Sequence, residues 1–371
     1  MKVTIVIGTR PEFIKMLPVI RKFKLLEIDL DIIDSGQHKE LLKPYWDKYN
    51  ITPTHTLDLM KPGQSLAELT AKALSQLQNY FDGQIISPSL VLAQGDTTTV
   101  LATAMVCFYN KIKFAHIEAG LRSFDFNNPF PEEFNRKVTS LITDFHFCPT
   151  EISKRNLNSE GIGSNIYVVG NTVVDSLNEF MSNELIWVDD LFPGAEFLQK
   201  YHGKLVLITC HRRENHGANL DKIITTISIL AEQNPDFLFF WAVHPNPNVN
   251  IIVQNSVLKQ RANVVLSPPL DYFVLLRILQ ASFCVITDSG GIQEEAPSFK
   301  VPVLILRSQT ERPEGVNAGI AYLVDNDTDM IIKIFDDLKL HRPSLDFNPY
   351  GDGNSSQRIV DHIISFLNNL E

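Results

Sequence analysis

Proton transfer and anion binding need carboxylates, imidazoles and cations where the chain turns, and here such residues follow short apolar runs. QGDTTT (94–99) sets Asp96 behind the run LVLAQ and ahead of three threonines. HIEAGLRS (116–123) sets His116 and Glu118 at the end of FAHIE, and PFPEEFNR (129–136) brings Glu132, Glu133 and Arg136. GTRPEFIK (8–15) offers Arg10 and Lys15 to an anion, and TCHRRENHG (209–217) offers His211 with Arg212 and Arg213. In TDSGGIQEE (287–295), Ser289, Gly290 and Gly291 precede a helical pattern, where backbone N–H groups and the helix dipole favour a phosphate. Glu294 and Glu295 follow one turn later, where a carboxylate can accept from both hydroxyls of a ribose.

Each group also has a plainer use. Asp96 could cap a helix, worth about 1 kcal/mol. Glu118 could sit in a surface salt bridge, and Arg10-Pro11 could form a turn. Glu132 and Glu133 suit the positive end of a helix dipole. His211 to Glu214 could be a solvated loop, and Ser289–Gly291 a simple strand–helix turn. The plain uses do not explain why the polar clusters all fall behind apolar runs. Ligands of open α/β sheets sit at that end of the strands, so the pattern implies a charged rim for a small polyanionic ligand.

The elements that must carry these groups are legible as two similar halves. Apolar runs at 3–7, 30–34, 90–94, 114–118, 145–149 and 166–170 are matched by runs at 205–209, 237–243, 263–267, 283–287, 301–306 and 321–324. They are continuous rather than alternating, which is the pattern of strands buried on both faces. Helix-length stretches at 64–79, 97–110, 133–143, 219–233, 271–281 and 291–299 separate most of them. Strand–helix alternation predicts an α/β fold of two doubly wound, Rossmann-like domains facing a cleft, joined by a polar stretch at about 171–203. The domains would span 1–170 and 171–354. Ile359, Ile363, Ile364 and Leu367 share one face of a last helix within 355–371, which therefore docks rather than standing in solvent.

Composition narrows the class. With 371 residues, 44% hydrophobic, the chain can bury two cores. The formal charge of −10 argues against a nucleic-acid binder. Cys107, Cys148, Cys210 and Cys284 form no CxxC, which predicts neither disulfide framework nor zinc site. The apolar run in MKVTIVIGTRPEF is too short for a signal peptide. The most apolar window, 270–288, contains Asp271, Arg277 and Gln280, so no membrane span is expected and the protein reads as cytoplasmic. Gly8 stands without the other glycines of GxGxxG, no GxxxxGK[ST] occurs, and His211 and His216 lack metal-ligand spacing, so no cofactor and no metal are expected.

In this order, GTRPEFIKMLPVI (8–20), SGQH (35–38), QGDTTTV (94–100), HIEAGLRS, PEEFNR (131–136), VGNTVVD (169–175), CHRREN (210–215), HPNPNV (244–249), TDSGGIQEEAP (287–297), ERPEG (311–315) and NPYGDG (348–353) resemble the non-hydrolysing UDP-N-acetylglucosamine 2-epimerases nearly end to end. The resemblance implies a glycosyltransferase-B-type fold with the last helix, 355–371, packing back on the first domain, catalytic carboxylates in the first domain and UDP binding in the second. It also implies a homodimer and reversible conversion of UDP-N-acetylglucosamine to UDP-N-acetylmannosamine. The family route eliminates UDP to leave 2-acetamidoglucal, then adds UDP back with a proton delivered to the opposite face of C2. Carried over by residue, the catalytic set is Asp96, Glu118, Glu132 and His211. Arg10, Lys15, Ser289, Gly290, Gly291, Glu295 and Arg312 would bind the substrate.

Leu275 stands where relatives place a phenylalanine near the uracil. Some bacterial members bind a second UDP-N-acetylglucosamine as an activator. Gln37, His38, Arg212, Glu214 and His244 match that site, whereas Glu40 and Gly63 replace a glutamine and an arginine. Alternatives are a 2-epimerase of a modified UDP-sugar (6-deoxy or 3-acetamido), a hydrolysing epimerase, a glycosyltransferase of this fold and a non-catalytic nucleotide-sugar sensor. The most direct role is the supply of cell-surface polysaccharide precursors.

Overall fold

The computed structural model describes residues 1–182, 199–343 and 345–369. The chain forms two compact units, Met1–Ser176 with Tyr350–Glu371, and Leu177–Pro349. In the first unit the strands are β1 (Lys2–Ile7), β2 (Asp29–Asp34), β3 (His55–Thr56), β4 (Leu90–Gln94), β5 (Phe114–Ile117), β6 (Phe145–Cys148) and β7 (Ile166–Val168). They pair in parallel in the order β3-β2-β1-β4-β5-β6-β7. The second unit has β8 (Leu205–Thr209), β9 (Leu238–Ala242), β10 (Val264–Ser267), β11 (Ser282–Thr287), β12 (Val303–Ile305) and β13 (Ala321–Leu323). Their order, β10-β9-β8-β11-β12-β13, is also parallel throughout and is the Rossmann order.

Both sheets therefore run outward from a first strand, return, and continue on its other side. The reversal falls between β1 and β4 in one unit and between β8 and β11 in the other. Loops leaving neighbouring strands diverge there, which makes room for a ligand. Val3, Ile5, Val6 and Ile7 of β1 and Leu205–Ile208 of β8 have no exposed surface, as the continuous apolar runs require.

All twelve apolar runs are strands. The thirteenth strand described, β3, went unread because it is two exposed edge residues with no apolar run. Helices over Leu66–Asp82, Thr98–Tyr109, Glu132–Leu141, Ala218–Gln233 and Tyr272–Ala281 occupy the expected stretches, and Gly290–Glu295 runs on into a 3-10 turn, Ala296–Phe299. In the first of these, Leu69, Ala73, Leu77 and Phe81 recur every fourth residue and are the buried face. The polar stretch at 171–203 begins as a helix, Thr172–Ser182; residues 183–198 lie outside those described.

The last helix, Ser355–Asn368, packs on Arg10–Leu25 within the first unit. It buries Ile359, Val360, Ile363 and Leu367; Val360 takes the place expected of Ile364, which is half-buried. Phe366 meets Phe145 at 4.8 Å and His362 meets Tyr167 at 4.0 Å between ring centroids. Its first turn is held from another segment, since Asp175 accepts from Ser355 N–H at 3.1 Å, Ser356 N–H at 2.7 Å and Ser356 O–H at 2.6 Å. Replacing Asp175 with Ala leaves those buried donors without their acceptor. It should cost about 2 kcal/mol, measured as a lower denaturant midpoint with faster amide exchange over 355–368.

Candidate functional site

The switch point of the first unit is built by the loops after β1, β4 and β5. Thr9 caps the helix Arg10–Leu25, and Glu12 reaches back to accept from Gly8 N–H at 2.5 Å and Thr9 N–H at 3.2 Å. The same carboxyl bonds the Thr97 side chain, tying the β1 loop to the β4 loop. Glu12 is fully enclosed, and burial pushes its carboxyl up to about 7 against the opposing pull of these hydrogen bonds. Thr97, not Asp96, is the cap of Thr98–Tyr109, accepting from Val100 N–H. Asp96 is thus free of the plain capping role and instead receives Arg136 Nε at 3.0 Å, with 29% of its side chain exposed.

His116 is fully buried and donates from Nε2 to the Gly95 carbonyl at 2.7 Å, supporting the turn that presents Asp96. Burial pushes this imidazole down to about 4 and does the same to neighbouring His146, so both are neutral at pH 7. Glu118 is not in a surface pair. Its carboxylate accepts from Lys15 Nζ at 2.5 Å and Gln94 Nε2 at 2.6 Å, with 6% of the side chain exposed. Its φ of +68° is left-handed, a conformation that costs a non-glycine residue about 1–3 kcal/mol and clusters at functional sites. Gly120 follows at φ +87°, where a Cβ would lie 2.3 Å from the Ser153 carbonyl oxygen, so no other residue fits.

The paired acids of PEEF divide. Glu133 has no exposed surface and accepts from Ser123 N–H, Phe124 N–H and Arg136 Nη1, each at 3.0 Å. It therefore staples the loop before its helix and shares Arg136 with Asp96. Glu132 is half-buried at the start of that helix. Arg122 forks onto Glu160 and bonds Ser140, a structural use.

In the second unit the loops after β8 and β11 meet at Asp288, a residue passed over in the sequence. It is fully buried and accepts from His211 N–H at 3.0 Å, Arg212 N–H at 2.9 Å and Asn215 Nδ2 at 2.9 Å. His211 Nδ1 lies 2.9 Å from its other oxygen. Burial alone would raise this carboxyl, but the His211 ring and these donors outweigh it and hold it well below the usual range. The signal was present: Asp288 ends an apolar run before SGG as Asp96 ends one before TTT.

Ser289 begins the helix Gly290–Glu295, its N–H held by Thr287 Oγ1 at 2.9 Å. A Cβ on Gly290 would meet the Arg312 guanidinium at 2.7 Å, so this glycine lets the arginine pack against the start of the helix. Arg312 donates from Nε to Glu294 at 2.5 Å and pairs with Glu311 through Nη1. Glu295 accepts from the Tyr272 hydroxyl at 2.8 Å, and Leu275 packs on the core. Of the activator set, Gln37 accepts from Thr99 Oγ1 at 3.0 Å and His38 lies near Arg10, both in the first unit. Arg212, Glu214 and His244 are in the second, where Glu214 pairs with Arg307 at 3.2 Å and the His244 ring lies tilted, 5.8 Å from that of His211 between centroids. Among the described residues no group of three His, Cys, Asp or Glu is placed to hold a metal, and no helix is long and apolar enough to cross a membrane.

Two Rossmann-order sheets, each with a charged switch point, define a glycosyltransferase-B-type α/β protein. The profile of the UDP-N-acetylglucosamine 2-epimerase family matches residues 22–364, and the chain belongs to that family. It is 42% identical to a Neisseria meningitidis UDP-N-acetylglucosamine 2-epimerase over 98% of this chain and 99% of that one. A crystal structure of a Neisseria meningitidis UDP-GlcNAc 2-epimerase bound to UDP-GlcNAc superposes with a TM-score of 0.89 at 40% identity, covering 98% and 100% of the two chains. A Methanocaldococcus jannaschii UDP-GlcNAc 2-epimerase in complex with UDP-GlcNAc and UDP gives 0.86 at 35% identity, again over 98% and 100%.

Two predictions follow from the buried acids. Glu12 has a folded pKa above its unfolded value, so its contribution to stability is full below about pH 4.5 and lost as pH rises through about 7. Relative to wild type, Glu12→Gln should therefore gain about 3 kcal/mol between pH 4.5 and 8 in urea unfolding. His116 and His146 act in the opposite sense, losing stability as pH falls from 6.5 through about 4, and cancel in that comparison. Glu133→Gln should destabilise by about 3 kcal/mol because it strips charge from a buried pair, whereas Glu132→Gln should leave the unfolding free energy from urea titration within about 0.5 kcal/mol.

Proposed function

We propose that this protein interconverts UDP-N-acetylglucosamine and UDP-N-acetylmannosamine. The observation that carries the reading is the pair Asp96 and Glu118 on adjacent strand tips, one bound to Arg136 and the other to Lys15. The C2 proton is not next to a carbonyl, so a base alone removes it far too slowly. Breaking the C1–O bond supplies the missing driving force. One carboxylate of Asp96, Glu118 and Glu132 takes the proton, the C2–H electrons form the C1–C2 double bond, and UDP leaves with the C1–O pair. The reverse addition returns a proton to the other face of C2 while a diphosphate oxygen reforms the bond to C1. Acid–base assistance of this kind contributes about 10²–10⁴ in rate.

Negative charge grows on the departing diphosphate. Arg10, Lys15, His211 and the Ser289–Gly291 amides are its stabilisers in this reading, with Glu295 and Arg312 toward the ribose end. Gln37, His38, Arg212, Glu214 and His244 form an activator site for a second UDP-N-acetylglucosamine; reverse-reaction kinetics independent of that sugar nucleotide would remove it. The chain works in the cytoplasm as a homodimer supplying polysaccharide precursors. Exposed Phe124, Phe126, Phe130 and Phe134 on one loop and helix start support self-association.

Proton NMR in heavy water tests the chemistry. UDP-N-acetylglucosamine should convert to UDP-N-acetylmannosamine carrying deuterium at C2. Free UDP with N-acetylmannosamine would mean hydrolysis, and no exchange from protein that binds UDP would mean another sugar or another reaction. Asp96→Asn should reduce turnover by a hundredfold or more, as expected for a lost proton-transfer group, while UDP affinity by calorimetry stays within about threefold; a fully active Asn variant removes Asp96 from the set.

A further inference from the structure

His211 reaches its position through a side chain that no motif singled out. Its imidazole keeps 39% of its side-chain surface, while Asp288, 2.9 Å from Nδ1, has none. An ionised carboxylate has only acceptors, so the atom facing it must be Nδ1–H, and a neutral His211 then carries its lone pair on Nε2. Asp288 cannot turn away. One oxygen takes the Arg212 N–H at 2.9 Å and Asn215 Nδ2 at 2.9 Å, and the His211 N–H lies within reach of both oxygens. Asn215 is itself fixed, donating to the Leu306 carbonyl at 3.1 Å and accepting from Asn326 Nδ2 at 2.8 Å. Arg212 Nε adds a bond to the Asp288 carbonyl at 2.9 Å. The loop after β8 is thus tied to the tip of β11 by main chain and side chain together.

We propose that Asp288 is the positioning residue for His211, fixing the ring with Nδ1–H inward and Nε2 outward, where the protonated ring donates to the diphosphate. The inference deepens the reading of His211 given above and rests on it. It adds that the imidazole's tautomer is set by the protein before substrate arrives, as it is when an aspartate orients the histidine of a hydrolytic triad. The buried charge also compensates the positive charge that the ring acquires when Nε2 takes a proton.

Asp288→Asn tests this at constant shape. The asparagine oxygen can keep the backbone donors, which turns its NH₂ toward Nδ1 and forces the other tautomer. Turnover should fall at least a hundredfold, the low end of what acid–base groups supply, with KM changed less than about threefold. In a His211→Ala background the same substitution should change turnover less than about threefold, because a residue acting only through His211 has nothing left to orient. A full hundredfold loss in that background, or retained turnover in the single variant, overturns the proposal. Side-chain ¹⁵N NMR of the wild-type protein gives an answer that needs no variant: neutral His211 should carry its proton on Nδ1, and a proton on Nε2 alone overturns the assignment. If the wild-type protein fails to epimerise UDP-N-acetylglucosamine, the functional reading falls, while the NMR result still decides the tautomer.

Discussion

A buried carboxylate that takes two successive backbone N–H groups fastens four separate segments of this protein, three of them beside the residues of its proposed chemistry. Glu12 takes Gly8 and Thr9, Glu133 takes Ser123 and Phe124, and Asp288 takes His211 and Arg212. Asp175 does the same for Ser355 and Ser356, and so fastens the last helix to the first unit. The arrangement answers a general difficulty. Loops that leave neighbouring parallel strands in opposite directions cannot pair their amides with each other, yet buried amides must be bonded. An anionic acceptor satisfies two at once and does so with the stronger, charge-assisted form of the bond.

The four carboxylates are not equivalent, and their partners decide their ionisation. Asp288 faces an imidazole, two amides and an amide side chain, and stays ionised despite full burial. Around Glu12 stand amides and hydroxyls, which lower its pKa less than burial raises it. One carboxyl is therefore a fixed charge beside His211, and the other changes its charge near physiological pH. Glu118 shows a third solution, in which a lysine neutralises a carboxylate held in a left-handed backbone. That geometry costs energy, and the hydrogen bonds from Lys15 and Gln94, with Gly120 packed closely on Ser153, keep it in place.

Much of this was legible in advance. Continuous apolar runs marked twelve strands, because strands covered on both faces have no polar alternation to confuse the reading. The rule that ligands lie behind strands then selected Asp96, Glu118 and His211 from forty-three acids and ten histidines. Reading by local pattern failed for β3, an exposed two-residue edge, and for the difference between Glu132 and Glu133, which adjacent identical residues cannot express. It also missed Asp288, whose importance lies in amides and a ring brought from 76 and 77 residues away.

The amino-acid sequence alone determined the class of fold and the inventory of charged groups, since both follow from local pattern: apolar period, glycine turns and the residue types behind each run. Tertiary structure decided what each group is for. Whether a carboxylate serves as a clamp, a fixed charge or a proton carrier depends on which donors surround it and how much water remains. Strand order sets those donors, by pairing β1 with β4 and β8 with β11 across long stretches of chain. Hydrogen bonds and desolvation act through space over a few ångströms, and sequence spacing records no such distance.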